Sequence, residues 1–542
     1  MQKKNLFLLG ILFPLILSAI PAKRDRCTLT LANGSKIEAT SMGDEVMHFY
    51  QTDDGRCLQC DNEGIAHFVE PDTIRNRMMA RTAKRKNARA KKYASRQTKS
   101  NGNMTGTKRG LVILVQFPGT SFYYTNADFQ RIFNEEGYTD NVNIGSVHDY
   151  FYDASYGLFN FSFDVVGPIT VSQPLSYYGS NNENGDDIYP ATMVCEAVQI
   201  ADERVDFSKY DWDEDGEVEQ VFIIHSGFDE AQRHFSTDIW SHAWTLSEAM
   251  EEDDGDGPVT ADGVVIDSYA TCAEIRGTNG NAIMGIGTAC HEFSHCFGLP
   301  DFYDVDGRNF GMNSWSLMDY GSYNGNGGSP ACFTSYERMF CGWLEPTELT
   351  EAMEVNDMPA LTSAPVAYLL RNSGKEDEYY LLENRQKESW DSYLGGHGLL
   401  VLHVDYDDLA WMTNAVNVIR SHQRMTIIPA DNMLYSGTLS GDPWPGTTGK
   451  TELSRSSTPA ATLYNLNAEG DLLMHHSIAN ITESEDGFIN FVFDGGALGL
   501  NETHNPQPDL QQGIYDLSGR KVTGKVATLR ICIQDRKKIL TR

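Results

Sequence analysis

The stretch that most constrains this chain is residues 285–304, GIGTACHEFSHCFGLPDFYD. Its apolar residues recur at the spacing of an α-helix and form one core stripe, made of Ile286, Cys290, Phe293 and Phe297. At about 100° per residue, His291, Glu292 and His295 then fall together on the opposite face. The sequence therefore predicts a buried helix with two imidazoles and a carboxylate on one side.

These side chains have the types and the spacing of a zinc site. Two imidazoles one helical turn apart can both bind a single Zn²⁺ at about 2.0–2.1 Å, which requires a spacing of four residues. Gly298 is expected to end the helix in the left-handed conformation and to turn the chain sharply. That turn would bring back Asp301 as the third ligand, although Asp304 or Asp306 could supply the same carboxylate.

Three protein ligands leave one coordination position open for water, which is typical of a catalytic zinc site. Glu292 is then the expected general base, which takes a proton from the metal-bound water and passes it to the leaving amine. The plainer interpretation is a pair of core histidines satisfied by their neighbours. It is disfavoured because the same helix already has its core face on the other side.

The longer pattern around this motif resembles a known group of peptidases. HEFSHCFGLPD followed by NSWSLMDYG (313–321) resembles the metzincin pattern, in which a methionine-containing turn lies beneath the zinc. More closely, most of residues 30–345 resembles the immune inhibitor A-like secreted metallopeptidases, in which Asp supplies the third ligand. Matching segments include LVILVQF, YDWDEDGEVEQVFIIHSG and DIWSHAW. The resemblance implies that Met318 is the methionine of the turn and that Tyr320 is a catalytic residue that binds the oxyanion.

Hydrophobic patterning divides the chain into regions of different class. GLVILVQF (110–117) and VFIIHSG (221–227) are typical of buried strands, and residues 191–203 have helical spacing, so 105–345 is predicted to be an α/β metzincin-like zinc peptidase domain. Short alternating strands over 346–496 predict a separate C-terminal all-β module. Its Trp411 and Trp444 are interpreted as core residues.

The N-terminal part is predicted to be a signal peptide followed by a pro-segment. Residues 1–22 place two lysines before an apolar run that is shorter than the roughly 20 residues of a spanning helix. Residues 27–70 alternate short apolar and polar runs and predict a β-rich unit. A linker with ten Lys or Arg between Arg75 and Arg96 follows, and by composition alone it is a solvated linker.

We expect residues 23–104, the pro-segment with its basic linker, to keep the enzyme inactive as a zymogen until the linker is cut. A blocking ligand for the metal would come from the turn DDGRCLQC, through Asp53, Asp54, Cys57 or Cys60. The other interpretation of the two cysteines is a local disulfide or a pair of buried thiols.

A second cation site is predicted in the acidic run before the strand at 221. Oxygen ligands at alternate positions around Gly216 suit Ca²⁺, and the first half of the run matches the opening of an EF-hand loop. The glutamate expected at the twelfth position is replaced by Phe222. The run is otherwise a solvated acidic turn, but the family resemblance implies a bound cation. The predicted ligands are Asp211, Asp213, Asp215, Glu217 and Glu219.

Charge and the chain ends bear on partners and location. A formal net charge of −32 argues against nucleic acid, and no later segment is apolar enough to span a membrane. The expected product is a secreted monomer, extracellular or on a bacterial cell surface, that acts on proteins or peptides.

The tail over 497–542 contains GIYDLSGRKV (513–522), which resembles the opening of C-terminal sorting tails in bacteria with an outer-membrane secretion route. Its continuation departs from that pattern, and the alternative is a plain C-terminal hairpin. An alternative for the whole protein is a non-catalytic surface adhesin on a protease scaffold. It is disfavoured because Glu292 and both histidines are present.

Overall fold

In the computed structural model the chain forms two units, Met1–Gly496 and Ala497–Arg542. The predicted signal peptide, apart from Ala22, and nearly all of the basic linker lie outside the described residues. The structure describes residues 22, 26–43, 48–61, 63–74, 76–77, 104–182, 186–233, 235–305, 309–494, 530–534 and 537–541.

The β-rich unit near the N-terminus is a small closed barrel of five strands. Antiparallel pairing runs from the first strand to the fifth, and parallel pairing of the fifth with the first closes it. Leu29, Ala39, Tyr50, Leu58 and Ala66 fill its interior. The strands are β1 Arg26–Leu31, β2 Lys36–Gly43, β3 His48–Gln51, β4 Cys57–Cys60 and β5 Ile65–Val69.

A five-stranded sheet forms the centre of the next region. Its strands are β6 Gly106–Gln116, β7 Phe159–Thr170, β8 Val221–Phe228, β9 His242–Thr245 and β12 Ser268–Ile275, after the hairpin of β10 Val259–Ala261 and β11 Val264–Ile266. The order is β7-β6-β8-β12-β9, with four parallel strands and β9 antiparallel at one edge. The two predicted buried strands, within β6 and β8, are confirmed.

Helices cover both faces of this sheet, which is why β6 and β8 are apolar without alternation. Val112 and Leu114 of β6 face one core, and Leu111 and Ile113 face the other. The helices are α1 Asn126–Asn134, α2 Val147–Ala154, α3 Leu175–Gly179, α4 Pro190–Ala201, α5 Glu230–Arg233, α6 Leu246–Glu251, α7 Gly287–Ser294 and α8 Ser335–Phe340.

Residues 346–494 are mainly β-structure with one short helix, α9 Asp408–Met412. Two sheets have the orders β13-β15-β16-β17-β18 and β14-β20-β19. Their strands are β13 Thr347–Glu348, β14 Met353–Met358, β15 Tyr368–Asn372, β16 Lys375–Arg385, β17 Gly398–Asp405, β18 Met425–Ile427, β19 Ile478–Glu483 and β20 Ile489–Phe493.

This β-rich region shares its core with the α/β region, where the sequence predicted a separate module. Every residue of β17 is buried: Leu400 and Leu402 join the cluster that contains Phe293, whereas Leu399 and Val401 join the cluster of the second β-sheet. The strand is therefore covered on one side by the α/β region. Trp411 and Trp444 are 2% and 0% exposed, so their interpretation as core residues is confirmed.

A buried arginine adds polar contacts across the same boundary. Arg385 of β16 pairs with Asp391 (2.7 Å) and Glu383 (2.9 Å), and all three side chains are fully buried. The guanidinium also donates to the carbonyl oxygens of Trp315 and Cys332, at 3.0 and 3.3 Å. The charge is thus paired, and its remaining donors bind the backbone of the α/β region.

The second unit contains an antiparallel hairpin of β21 Arg530–Gln534 and β22 Lys537–Thr541. The sorting-like segment at 513–522 lies outside the described residues. Of the helices that the structure describes, none has the length and apolarity needed to cross a membrane.

Candidate metal centre

The predicted motif helix is present as α7, which runs into a 3₁₀ turn at His295–Phe297. The four residues of the predicted core stripe are at most 4% exposed. Gly298 ends the turn with φ +90°, and its N–H donates to His295 O at 2.9 Å. The predicted left-handed helix stop is therefore confirmed, and its positive φ explains the glycine.

Two backbone carbonyls orient the imidazoles of His291 and His295. Nδ1 of His291 lies 2.8 Å from Leu317 O, and Nδ1 of His295 lies 2.8 Å from Leu299 O. Because a carbonyl oxygen only accepts, each Nδ1 must be the donor, and Nε2 is the ring nitrogen that faces away from the carbonyl. Nε2 of His291 has no hydrogen-bond partner among the described residues. Both imidazoles are thus oriented as metal-binding histidines are, with Nδ1 held by a backbone carbonyl oxygen.

Asp301 meets both of these nitrogens. Its Oδ1 lies 3.2 Å from Nε2 of His291 and 3.8 Å from Nε2 of His295, and all three side chains are at most 1% exposed. Two imidazole nitrogens and one carboxylate oxygen therefore converge in a dry site. This is a donor set that fits a divalent ion such as Zn²⁺.

The structure describes one of the other two candidate carboxylates. Asp304 is buried, and its Oδ2 accepts from the backbone N–H of Asn309 at 3.0 Å. Asp306 lies outside the described residues.

Glu292 lies beside the same point and is fully buried. Its Oε2 is 3.9 Å from Nε2 of His295, and its carboxylate forms a close group with the two imidazoles. Glu292 is adjacent to His291 on α7 and is not part of the apolar core stripe. The helix therefore holds a carboxylate next to the predicted ligands.

The turn that contains Met318 packs against α7. Met318 is fully buried, and the following 3₁₀ segment, Tyr320–Gly327, approaches so closely that a Cβ on Gly287 would lie 1.9 Å from Ser322 O. Tyr320 is half-buried at the start of that segment, where its N–H donates to Asp319 Oδ1 at 2.7 Å. Its part in catalysis stays a prediction.

Four side chains from the β-rich region bind the loops of this centre, and sequence reasoning missed all four. Their residues carry no local motif; the nearest signal is a pair of asparagines in an otherwise mostly apolar stretch, TNAVNV (413–418). Asn414 binds Asp301, Asn417 donates to Phe302 O, Gln423 accepts from Gly311 N–H and Asp442 accepts from the Trp315 indole.

The predicted calcium ligands separate into two groups. The carboxylates of Asp211, Asp213 and Asp215 lie close enough together to hold one ion. Glu219 instead turns both oxygens to the N–H of Trp212, at 2.8 and 2.9 Å. Burial raises the pKa of Glu219 to about 9, against the opposing effect of that hydrogen bond. Glu217 is 8% exposed.

The proposed blocking groups of the N-terminal barrel are engaged within the barrel. Asp53 pairs with Arg26, and Asp54 with Arg56 at 2.8 Å. Cys57 and Cys60 are thiols, which excludes the local disulfide interpretation in this structure. Among the described residues, two groups of side chains are close enough to hold an ion, and neither includes these four residues.

Comparison with known proteins agrees with this geometry. Residues 114–343 match the family described as immune inhibitor A peptidase M6, catalytic domain. Immune inhibitor A of Bacillus thuringiensis subsp. alesti is 26% identical over 292 residues, 45% of this chain and 41% of that protein. Pre-pro-metalloprotease PrtV of Vibrio cholerae serotype O1 is 26% identical over 236 residues, 39% of this chain and 25% of that protein.

The chain thus spans less than half the length of either relative. The matches confirm the resemblance seen in the sequence to the immune inhibitor A-like peptidases. The matched α/β region is therefore similar to the catalytic domain of these peptidases.

Asp442, which holds Trp315 at 2.9 Å, generates a pH prediction. Burial raises its pKa to about 8, with Asp431 adding to the shift and the Trp315 hydrogen bond opposing it. The folded state therefore binds the proton more tightly than the unfolded chain, whose Asp pKa is about 3.9. The contribution of Asp442 to stability is fully present below about pH 4 and is lost as the pH rises to about 8.

Asp442→Asn has no group that titrates at this position. The difference in free energy of unfolding between the variant and the wild type should therefore shift in favour of the variant as the pH rises between those values. The gain is at most about 1.4 kcal/mol per pH unit. Urea unfolding midpoints from pH 4 to 9 measure it, with the exposed Asp486→Asn as a control for one lost charge. A difference that does not change with pH would contradict the assignment.

Proposed function

We propose that this chain is a secreted zinc-dependent endopeptidase that hydrolyses peptide bonds in proteins. The observation that carries the proposal is the convergence of two imidazole Nε2 atoms and one Asp301 oxygen in a dry site. His291, His295 and Asp301 would hold the metal. This set leaves a coordination position for water, as catalytic zinc sites do.

Bound zinc supplies Lewis acidity, which polarises the substrate carbonyl and lowers the pKa of a water molecule. Glu292 acts as the general base: its carboxylate accepts a proton from the attacking water and delivers it to the nitrogen of the leaving amine. This carboxylate is fully buried and lies 3.9 Å from Nε2 of His295. We assign to the Tyr320 hydroxyl a hydrogen bond to the oxyanion of the tetrahedral intermediate.

The roles of Glu292 and His295 are separable by substitution. Glu292→Ala should keep one zinc per chain, because Glu292 is not a ligand, while hydrolysis of a quenched peptide falls by about 10²-fold or more. His295→Ala should lose the zinc and the activity together. Elemental analysis and peptide turnover on the same preparations measure both quantities.

Full zinc retention in His295→Ala would contradict the ligand set. More than a tenth of the wild-type activity in Glu292→Ala would contradict the base. A wild-type protein that binds zinc but cleaves no protein or peptide would favour the adhesin alternative.

We also propose a structural Ca²⁺ at Asp211, Asp213 and Asp215. The proposal is supported by the closeness of the three carboxylates. The loop also holds Asp211 in place, because the backbone N–H groups of Asp215 and Gly216 donate to its carboxylate at 3.1 and 2.9 Å. Glu219 would orient the loop through Trp212, and Glu217 remains a predicted ligand. A cation would relieve the repulsion among these acidic groups.

Asp213→Asn should weaken Ca²⁺ binding by about tenfold or more, since it removes one charged ligand. Glu214→Gln is the matched control, because it removes one charge from the same exposed turn without touching a predicted ligand. Isothermal titration of Ca²⁺ into chelator-treated protein measures the affinities. Equal weakening in both variants would reduce the site to a general acidic turn.

The N-terminal barrel is proposed to act as a pro-segment that holds the enzyme latent. It contacts the α/β region through His48, whose Nε2 lies 3.1 Å from Glu230 Oε1 and whose ring stacks on Trp240 at 4.5 Å. Ser236 also donates to Asp61 O at 2.7 Å. These contacts support docking beside β9. They give no support to a blocking ligand from the turn at 53–60.

Brief cleavage of the basic linker should release the barrel and raise peptide turnover. His48→Ala should shorten the delay between cleavage and activity, because it removes the ring that pairs with Glu230 and stacks on Trp240. Arg26→Ala is the control, since Arg26 pairs with Asp53, which belongs to the same barrel. Equal activity before cleavage and after removal of the fragment would show that the barrel does not enforce latency.

A further inference from the structure

Asn414 binds the third predicted metal ligand through two hydrogen bonds. Its Nδ2 donates to Asp301 Oδ2 at 2.7 Å, and its Oδ1 accepts from the backbone N–H of Asp301 at 2.8 Å. Asn414 is 6% exposed and Asp301 is 1% exposed. Asn414 lies beyond residue 343, where the match to the peptidase family ends. A residue outside the recognised catalytic domain therefore contacts the metal centre.

The second hydrogen bond fixes the orientation of the amide. A backbone N–H can only donate, so the Asn414 atom that faces it must be the oxygen, and the amide nitrogen must face the carboxylate. That nitrogen donates a hydrogen bond to Oδ2 of Asp301. Oδ1 is the oxygen that faces the two imidazoles. Asn414 thus sets the rotation of the carboxylate and holds its backbone at the same time.

The chain around Asn414 is itself held in place. Asn414 has φ +52°, a left-handed conformation that asparagine tolerates, and its N–H donates to Trp411 O at 3.2 Å. Trp411 of α9 packs in the shared core, 5.9 Å from the ring of Tyr336 and 6.4 Å from that of Phe302. The amide is therefore presented from a rigid support.

A neighbouring asparagine offers a natural comparison. Asn417 donates to the carbonyl oxygen of Phe302, the residue after Asp301, and also to Met425 O, both at 2.7 Å. It is fully buried and supports the same loop, but these bonds do not reach the Asp301 carboxylate. The two residues thus separate support of the loop from orientation of the ligand.

We propose that Asn414 is a positioning residue of the metal centre, which orients Asp301 for the metal. The β-rich region then supplies a residue that orients a ligand of the metal site. This inference rests on the proposed zinc site, because an oriented carboxylate matters only where it binds an ion. Partners of this kind typically change metal affinity by about 10–100-fold when they are removed.

The test measures zinc affinity of the full chain by competition with a chromophoric chelator. Asn414→Gly is the first variant, because glycine adopts φ +52° without strain and removes both side-chain hydrogen bonds. We expect its zinc affinity to fall about 10–100-fold. Asn417→Ala, the matched comparison, measures the effect of loop support alone, and its zinc affinity should fall by less than that of Asn414→Gly. Thermal unfolding of the metal-free proteins measures how much each change weakens the fold.

A double-mutant cycle with Asp301→Ala separates ligand orientation from a general effect. If Asn414 acts through Asp301, Asn414→Gly should change zinc affinity by less than about threefold in the Asp301→Ala background. Wild-type affinity in Asn414→Gly alone, or an equal loss in both backgrounds, would overturn the inference. If Asn414→Gly does not fold, Asn414→Asp, which tolerates φ +52° and removes the donated hydrogen bond to Asp301, is measured in its place and judged by the same criteria.

His295→Ala, measured in parallel, tells the two ideas apart. Zinc retained by that variant would refute the proposed zinc site itself. Zinc lost by His295→Ala but kept at wild-type affinity by Asn414→Gly would refute only the role of Asn414.

Discussion

The contact between Nε2 of His291 and Oδ1 of Asp301, at 3.2 Å and shielded from solvent, is the constraint on which the rest of the structure depends. A carboxylate oxygen and an imidazole nitrogen can share one ion only when both side chains are held in a fixed orientation. The surrounding contacts do this. Leu317 O and Leu299 O fix the imidazoles, Asn414 fixes the carboxylate, and α7 is held against the turn that follows Met318.

The parts of the site that the sequence predicts are those encoded locally. Helical periodicity separates the core stripe of α7 from the face with His291 and His295, and Gly298 marks the end because only its backbone freedom suits φ +90°. Asn414 is separated from Asp301 by 113 positions and belongs to no motif, so the residues around it in the sequence do not predict the contact. The acidic run shows the same limit, since spacing alone does not reveal that Glu219 turns to Trp212.

The fold as a whole follows the same division. Continuous apolar runs identified β6 and β8, and alternation identified the β-rich character of residues 346–494. That alternation also suggested a separate module, although β17 itself is a nearly continuous apolar run, which is the pattern of a strand buried on both faces. In the structure, the two faces of β17 enter two cores. Buried Arg385 adds a polar connection between the regions.

The shared core bears on how this chain can change over evolutionary time. A region joined to its neighbour by a linker can be lost, duplicated or exchanged as a cassette, since few contacts cross the boundary. Here the boundary near residue 345 runs through packed side chains, and removal of the β-rich region would expose the apolar face that Leu400 and Leu402 cover. Recombination at this point would separate residues that must fit one another, so the two regions are constrained to be inherited together.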